Sequence, residues 1–198
     1  MPPVPMDWRG VVQAAVHTEE EKRADAVLAN MGSSMEVFNK LGASRKKGWL
    51  DYAGKHPGAL LRTKLRCGQA PLMLAVGHRN HLYAREDRTC RMCRTAAVES
   101  PEHFVSECAF YRGEREECCR RITEVVAGHN NPQLTQAIRN KEMALFLGDS
   151  LLLRLPQDIA RQVDATVCNF LKVAWRKRKG VWKELCVGKD EWRLKDGI

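Results

Sequence analysis

Long hydrophobic runs are missing from this chain, and aromatic residues make up only 7% of its 198 positions. Without an apolar stretch of about 20 residues, no membrane-spanning helix is expected, and a membrane is not an expected partner. No apolar signal segment follows the start MPPVPMDWRG, and Glu19, Glu20 and Glu21 interrupt any basic amphipathic presequence. The expected setting is therefore intracellular, whether nuclear, cytoplasmic or organellar. The chain carries no glycine-rich phosphate loop, no nucleophile elbow and no Tyr-x-Asp-Asp pair. Nucleotide hydrolysis, serine-type hydrolysis and polymerase chemistry thus lack support, and no small-molecule substrate is expected. Alternating apolar–polar segments are scarce, and no repeat or low-complexity tract occurs, which leaves helical periodicity as the main structural signal.

Cysteine and positive charge are abundant by contrast: eight cysteines and a formal net charge of +9. A chain of 198 residues can bury a core without disulfide staples. In a reducing compartment its clustered cysteines read as metal ligands rather than bridges. The charge is concentrated in two blocks. Residues 42–66 carry Arg45, Lys46, Lys47, Lys55, Arg62, Lys64 and Arg66 against Asp51 alone. Residues 172–183 carry Lys172, Arg176, Lys177, Arg178, Lys179 and Lys183 with no acid. Such blocks suit phosphate neutralisation, with a solvated helix face as the competing reading. The candidate nucleic-acid contacts are Arg45, Lys46, Lys47, Arg62, Lys64, Arg66, Arg176, Lys177, Arg178 and Lys179. Trp49, Tyr52, Trp175 and Trp182 lie among them and could stack on bases or anchor a core.

Helical spacing predicts a helix over about 7–31 and a second one capped by Ser33 with Glu36 three positions on. GASRKKG reads as a basic linker and His56-Pro57-Gly58 as a turn. A helix is expected over Ala59–Cys67, stopped by Gly68, and QAPLMLAVGHRNHLY reads as irregular or short extended structure. Further helices are expected over Ala109–Ala127 and Gln133–Leu147. A long one should start after Pro156 and bend or end near Gly180. The fold class is mostly α. The expected organisation is a helical arm and linker over 1–57, a metal-knuckle module over 58–128 and a basic helical region over 129–198.

The stretch CRMCRTAAVESPEHFVSEC sets Cys90, Cys93, His103 and Cys108 in a C-x2-C-x9-H-x4-C pattern. Zinc takes four N or S ligands in a tetrahedron, and a C-x2-C turn brings two thiolates to one ion. Ser100 is a good N-cap and Pro101 a favoured first helical residue, so a short helix should present His103 and Cys108 together. Four protein ligands leave no open position for water, which points to one structural zinc rather than a catalytic one. Ordinary buried cysteines beside a surface histidine are the competing reading. Cys67, Cys118, Cys119, Cys168 and Cys186 fall on expected helices and read as small apolar residues, with Cys118 a reserve ligand. A zinc deaminase would place a glutamate two residues after its ligand histidine, and Val105 stands there. Asp158 and Asp164, six apart, fall on different faces of one helix and do not make a nuclease pair. Glu99, Glu102 and Glu107 read as helix-start and surface charges, and no enzymatic activity is expected.

The segment LLRTKLRCGQAPLMLAVGHRNHLYAREDRTCRMCRTAAVESPEHFVSECAFYRGERE resembles the zinc-binding region at the C-terminal end of non-LTR (LINE-type) retrotransposon reverse transcriptase polyproteins. That family pairs an Arg/Leu-rich helix, a Pro-Leu step and a Gly-basic step with an R-x-C-x2-C and an E-x2-H-F/L-x3-C-x2-Y segment. The matching parts here are Leu61 to Arg66, Pro71-Leu72, Gly77-His78, Arg85 to Cys93, and Glu99 through His103 and Cys108 to Tyr111. His78 departs from the pattern, where an arginine is usual. The resemblance assigns the metal ligands to Cys90, Cys93, His103 and Cys108 and implies association with nucleic acid, RNA ahead of DNA. The expected function is a non-enzymatic, zinc-binding, nucleic-acid-associated module. The alternative is a structural subunit of a larger, ribosome-like ribonucleoprotein.

Overall fold

The computed structural model describes residues 56–80, 84 and 88–186, together with 37, 40 and 41. The expected helices over 7–31 and from Ser33 lie outside these residues, apart from the single turn in which Leu41 N donates to Val37 O at 3.1 Å. Six α-helices follow in order: α1 (Pro57–Arg66), α2 (Met73–Asn80), α3 (Arg112–Val125), α4 (Pro132–Asn140), α5 (Met143–Leu147) and α6 (Gln157–Cys186). A π-helix (His103–Glu107) and two short 3-10 turns complete the set. Among the described residues no strand forms, and the one extended pairing is an isolated bridge between Thr89 and Val98. No described helix is long and apolar enough to cross a membrane.

Helix α6 is the spine, with α1 and α3 packed along it. It contributes Val163, Val167, Phe170, Leu171, Ala174, Trp175 and Trp182 to a single apolar cluster. That cluster also takes Leu61 and Leu65 from α1, Ile122 from α3, Leu134 from α4 and Phe146 from α5. The core therefore runs across the boundary expected at residue 128. Phe104 stands at its centre, edge-on to Tyr111 at 4.8 Å and to Trp175 at 5.8 Å between ring centroids.

Several boundaries differ from the sequence expectation, each for a local reason. His56-Pro57-Gly58 is the start of α1 rather than a turn: Pro57 takes the first helical position, and the His56 ring accepts from Gly58 N at 3.1 Å. Gly58 is required there, because a β-carbon would lie 1.9 Å from the Cys168 carbonyl oxygen of α6. The segment after Gln69 is helical over Met73–Asn80, not extended. Its N-terminus is capped from a distance: Met73 N donates to the Glu99 carboxylate at 2.7 Å and Leu74 N to the Glu99 carbonyl at 3.3 Å. The helix expected over Gln133–Leu147 is two helices, broken where Lys141 turns left-handed at φ 53° and Glu142 N closes back on Ala137 O. The helix expected from Ala109 starts with a 3-10 turn and becomes α only at Arg112.

Helix α6 runs through Gly180 to Cys186 instead of ending there. Glycine inside a helix costs about 1 kcal/mol relative to alanine. Burial of Trp175 and Trp182 on either side outweighs that, at about 1.5–3 kcal/mol for a large apolar side chain.

Candidate metal centre

The knuckle begins as a miniature hairpin. Cys90 N donates to Ala97 O at 2.8 Å and Glu99 N to Arg88 O at 2.9 Å, which pairs 88–90 with 97–99. The chain between them turns at Arg91–Cys93, and Arg94 completes the reversal at φ 56°, a left-handed conformation that glycine adopts more readily. This fold-back turns both C-x2-C thiols toward the second half of the site.

The second half rests on the π-helix. Ser100 caps the helical turn that leads into it, its hydroxyl accepting from His103 N at 3.1 Å and its carbonyl from Phe104 N at 2.9 Å. In a regular α-helix His103 and Cys108, five residues apart, would point about 140° away from each other. Here Cys108 N donates instead to His103 O at 2.8 Å, the i to i+5 closure of a π turn, and the two side chains come to one side.

The outcome is one cluster. The ligand atoms of Cys90, Cys93, His103 and Cys108 all lie within 4.8 Å of one another, and the four can hold a metal ion. Cys93 Sγ sits 3.4 Å from His103 Nε2, and Cys90 Sγ 3.8 Å from Cys108 Sγ. His103 Nδ1 lies 3.3 Å from the Glu107 carboxylate, an outer contact that orients the ring with Nε2 inward. Among the described residues no cysteine is in a disulfide.

The four groups also shift one another's protonation. The hydrogen bond to Cys108 and burial push the Cys90 thiol up to about 12, and the same bond lowers Cys108. Hydrogen bonding to Cys90 lifts His103 to about 9 against the opposing effect of burial. At Cys93 burial raises the thiol, but hydrogen bonds from Thr95 and His103 outweigh it and the net shift is downward. A metal bound there would have to displace the protons on Cys90 and His103.

Buried arginines tie this centre to the bundle. Arg178 of α6 is 2% exposed and meets Glu99, itself 1% exposed, at 2.9 and 3.0 Å. Trp175 and Trp182 flank its guanidinium at 5.1 and 4.8 Å. Burial lowers the Arg178 pKa, yet the charge and hydrogen bonds of Glu99 more than offset it. Arg115 of α3 is 3% exposed and donates to the carbonyls of Cys108 at 3.0 Å and Val105 at 3.5 Å. Burial leaves its pKa lowered on balance.

The basic residues divide sharply. Arg62, Arg66 and Arg178 were expected to face phosphate, and the structure corrects this: all three are buried and paired with carboxylates. Arg66 meets both oxygens of Asp149 at 3.0 and 2.6 Å and also donates to Leu147 O. Arg62 meets Asp164 at 2.6 Å and Asp149 at 3.5 Å. Exposing Arg178 would leave the buried Glu99 carboxylate unpaired, and exposing Arg66 would leave buried Asp149 only its longer contact with Arg62, both unfavourable. Lys177 is exposed but bound to Glu114 and Phe110 O, both at 2.8 Å. Arg176 is exposed, and Lys64 and Lys179 are half-buried. Arg45, Lys46, Lys47, Trp49 and Tyr52 lie outside the described residues, while Trp175 and Trp182 are buried and not available for stacking on bases.

Two further expectations change. Glu99, read as a surface or helix-start charge, is a buried hub joining the knuckle, α2 and α6. Cys118 is not a reserve ligand: its thiol faces the Thr166 carbonyl of α6 at 3.9 Å, outside the cluster, and burial raises its pKa. Arg115 went unnoticed in the sequence as part of the site, and Glu99, though inside the matched segment, was read only as a helix-start or surface charge. The one available signal was their place beside the ligands, Glu99 just before the Ser100 cap and Arg115 seven residues after Cys108. The chain matches no protein-family model, no curated protein and no solved structure.

Proposed function

We propose that Cys90, Cys93, His103 and Cys108 form a closed structural zinc site in a non-enzymatic, nucleic-acid-associated module, of the kind the retrotransposon-tail resemblance implies. The single observation that carries this reading is the convergence of three thiols and one imidazole within 4.8 Å. That donor set is the usual one for structural zinc, and four protein ligands leave the ion no open position for substrate or water. Zinc bound there would hold the hairpin against the π-helix and neutralise the thiolates.

Nucleic-acid association is carried by the exposed remainder of the basic block on α6. Arg176 is exposed, Lys179 is half-buried next to it, and both stand on a helix that Arg178 anchors from beneath. RNA is the preferred ligand. The test is a salt titration of single-stranded RNA binding by the full chain and by an Arg176→Gln, Lys179→Gln variant. Removing two phosphate interactions should flatten the log–log salt slope by about 1.4. A slope and affinity unchanged in the variant would reject the phosphate role.

Burial of Arg62, Arg66 and Arg178 favours a second reading, because it reduces the charge left for free RNA. A structural subunit of a larger ribonucleoprotein needs less free-RNA affinity. Such a subunit co-sediments with a large particle and binds isolated RNA poorly. Sedimentation as a free small protein in extract would reject that alternative.

A further inference from the structure

Among the described residues, the charges around the knuckle do not balance. Glu99 is matched by Arg178 through two hydrogen bonds. Arg115 has no such match: among the described residues no carboxylate pairs with it, its contacts are the two carbonyls, and its Nε is buried without a hydrogen-bond partner. The neighbouring acids on α3 are engaged elsewhere, Glu114 with Lys177 and Glu116 with Lys141. Glu107, at the far side of His103, is mostly in solvent and screened. A buried cation held by carbonyls alone is unfavourable unless a counter-charge lies close.

We infer that Arg115 is the internal counter-ion of the metal centre, a positioning residue that acts through the Cys108 backbone and favours a net-anionic metal–thiolate cluster. A divalent ion with three thiolates and one neutral imidazole carries one net negative charge, which the Arg115 guanidinium balances. Its two carbonyl contacts set the guanidinium against the segment that bears the fourth ligand, so charge and geometry serve the same end.

The inference rests on the metal reading above and reaches beyond it to a residue that touches no metal. It predicts that one substitution acts in the zinc-loaded state and has little effect in the metal-free one. Arg115→Gln keeps hydrogen-bond donors and removes the charge, whereas Arg115→Lys keeps the charge. Zinc affinity of the full chain is measured by competition with a chromogenic chelator at fixed pH. Arg115→Gln should bind zinc about tenfold or more weakly, in the range typical of outer contacts to metal ligands. Arg115→Lys should stay within a few-fold of the unsubstituted chain. Denaturant melts with excess chelator should show Arg115→Gln close to the unsubstituted chain, while zinc-loaded melts show it less stable.

Zinc affinity equal in Arg115→Gln and the unsubstituted chain would overturn the inference. So would equal losses in the Gln and Lys variants, or an equal loss of stability with and without zinc, since either would make Arg115 a packing residue. No zinc binding by the unsubstituted chain would overturn the metal centre itself, and the inference with it. That failure is distinguishable, because it precedes any comparison of variants.

Discussion

Along α6, Asp164 and Arg178 mark two places where the bundle buries arginine, 14 residues and about 21 Å apart. At the first, Arg62 and Arg66 meet Asp149 and Asp164, so two cations face two carboxylates and the group is neutral as it stands. At the second, Arg178 meets Glu99 while Arg115 meets only carbonyls. One region completes its electrostatics with its own side chains, and the other leaves a positive charge that a metal–thiolate centre would match. The difference separates two sources of order: α1 is held to α6 by side chains of the polypeptide, whereas the knuckle, on the zinc reading proposed above, is held by an ion as well.

That contrast can be broken most directly by removing the ion. Chelation, or Cys108→Ala, should abolish amide protection across 88–111, since structural zinc contributes on the order of 10 kcal/mol to folding of its site. Protection in α1 should survive, as read by hydrogen exchange. Loss of protection in both regions together would show one cooperative unit and erase the distinction. Acid should act like the chelator. His103, lifted to about 9, and Cys90, lifted to about 12, both hold protons at neutral pH in the metal-free protein. Zinc must displace those protons, so its affinity should rise with pH and fall as pH is lowered.

The next largest effect belongs to the other region. Arg66→Met leaves Asp149 buried with only the longer contact from Arg62, and should cost about 3–5 kcal/mol in a denaturant melt. The cost should be the same with and without zinc. A smaller gain is expected at the knuckle. Arg94 holds a left-handed conformation that costs a non-glycine residue about 1–2 kcal/mol, so Arg94→Gly should stabilise the zinc-loaded protein by up to about 1 kcal/mol.

The two regions were also unequally legible in the sequence. The knuckle announces itself because its ligands are close in the chain and its cap, Ser100-Pro101, stands beside them. Helix α6 was visible from its apolar spacing, and the Cys/His cluster and the mostly helical character appear in the structure as read. The buried arginines were not legible. Arg62 finds Asp164 at a separation of 102 residues, Arg66 finds Asp149 at 83, and Arg178 finds Glu99 at 79. A basic run whose partners are that distant looks the same as one facing solvent. Helix α2 escaped for a related reason, because its cap comes from Glu99, 26 residues downstream. Local chemistry was readable, and long-range pairing was not.

The π turn gives the ligand spacing a particular tolerance to changes in chain length. Ser106, inside that turn, has a buried hydroxyl with no hydrogen-bond partner. Deleting it would bring the histidine and cysteine to an i, i+4 separation, which an ordinary α-helix also presents on one face. H-x4-C on a π turn and H-x3-C on an α turn are then two lengths of one solution. On the zinc reading, a chain shortened at Ser106 should still bind the ion. A sequence search for sites of this type should accept either length.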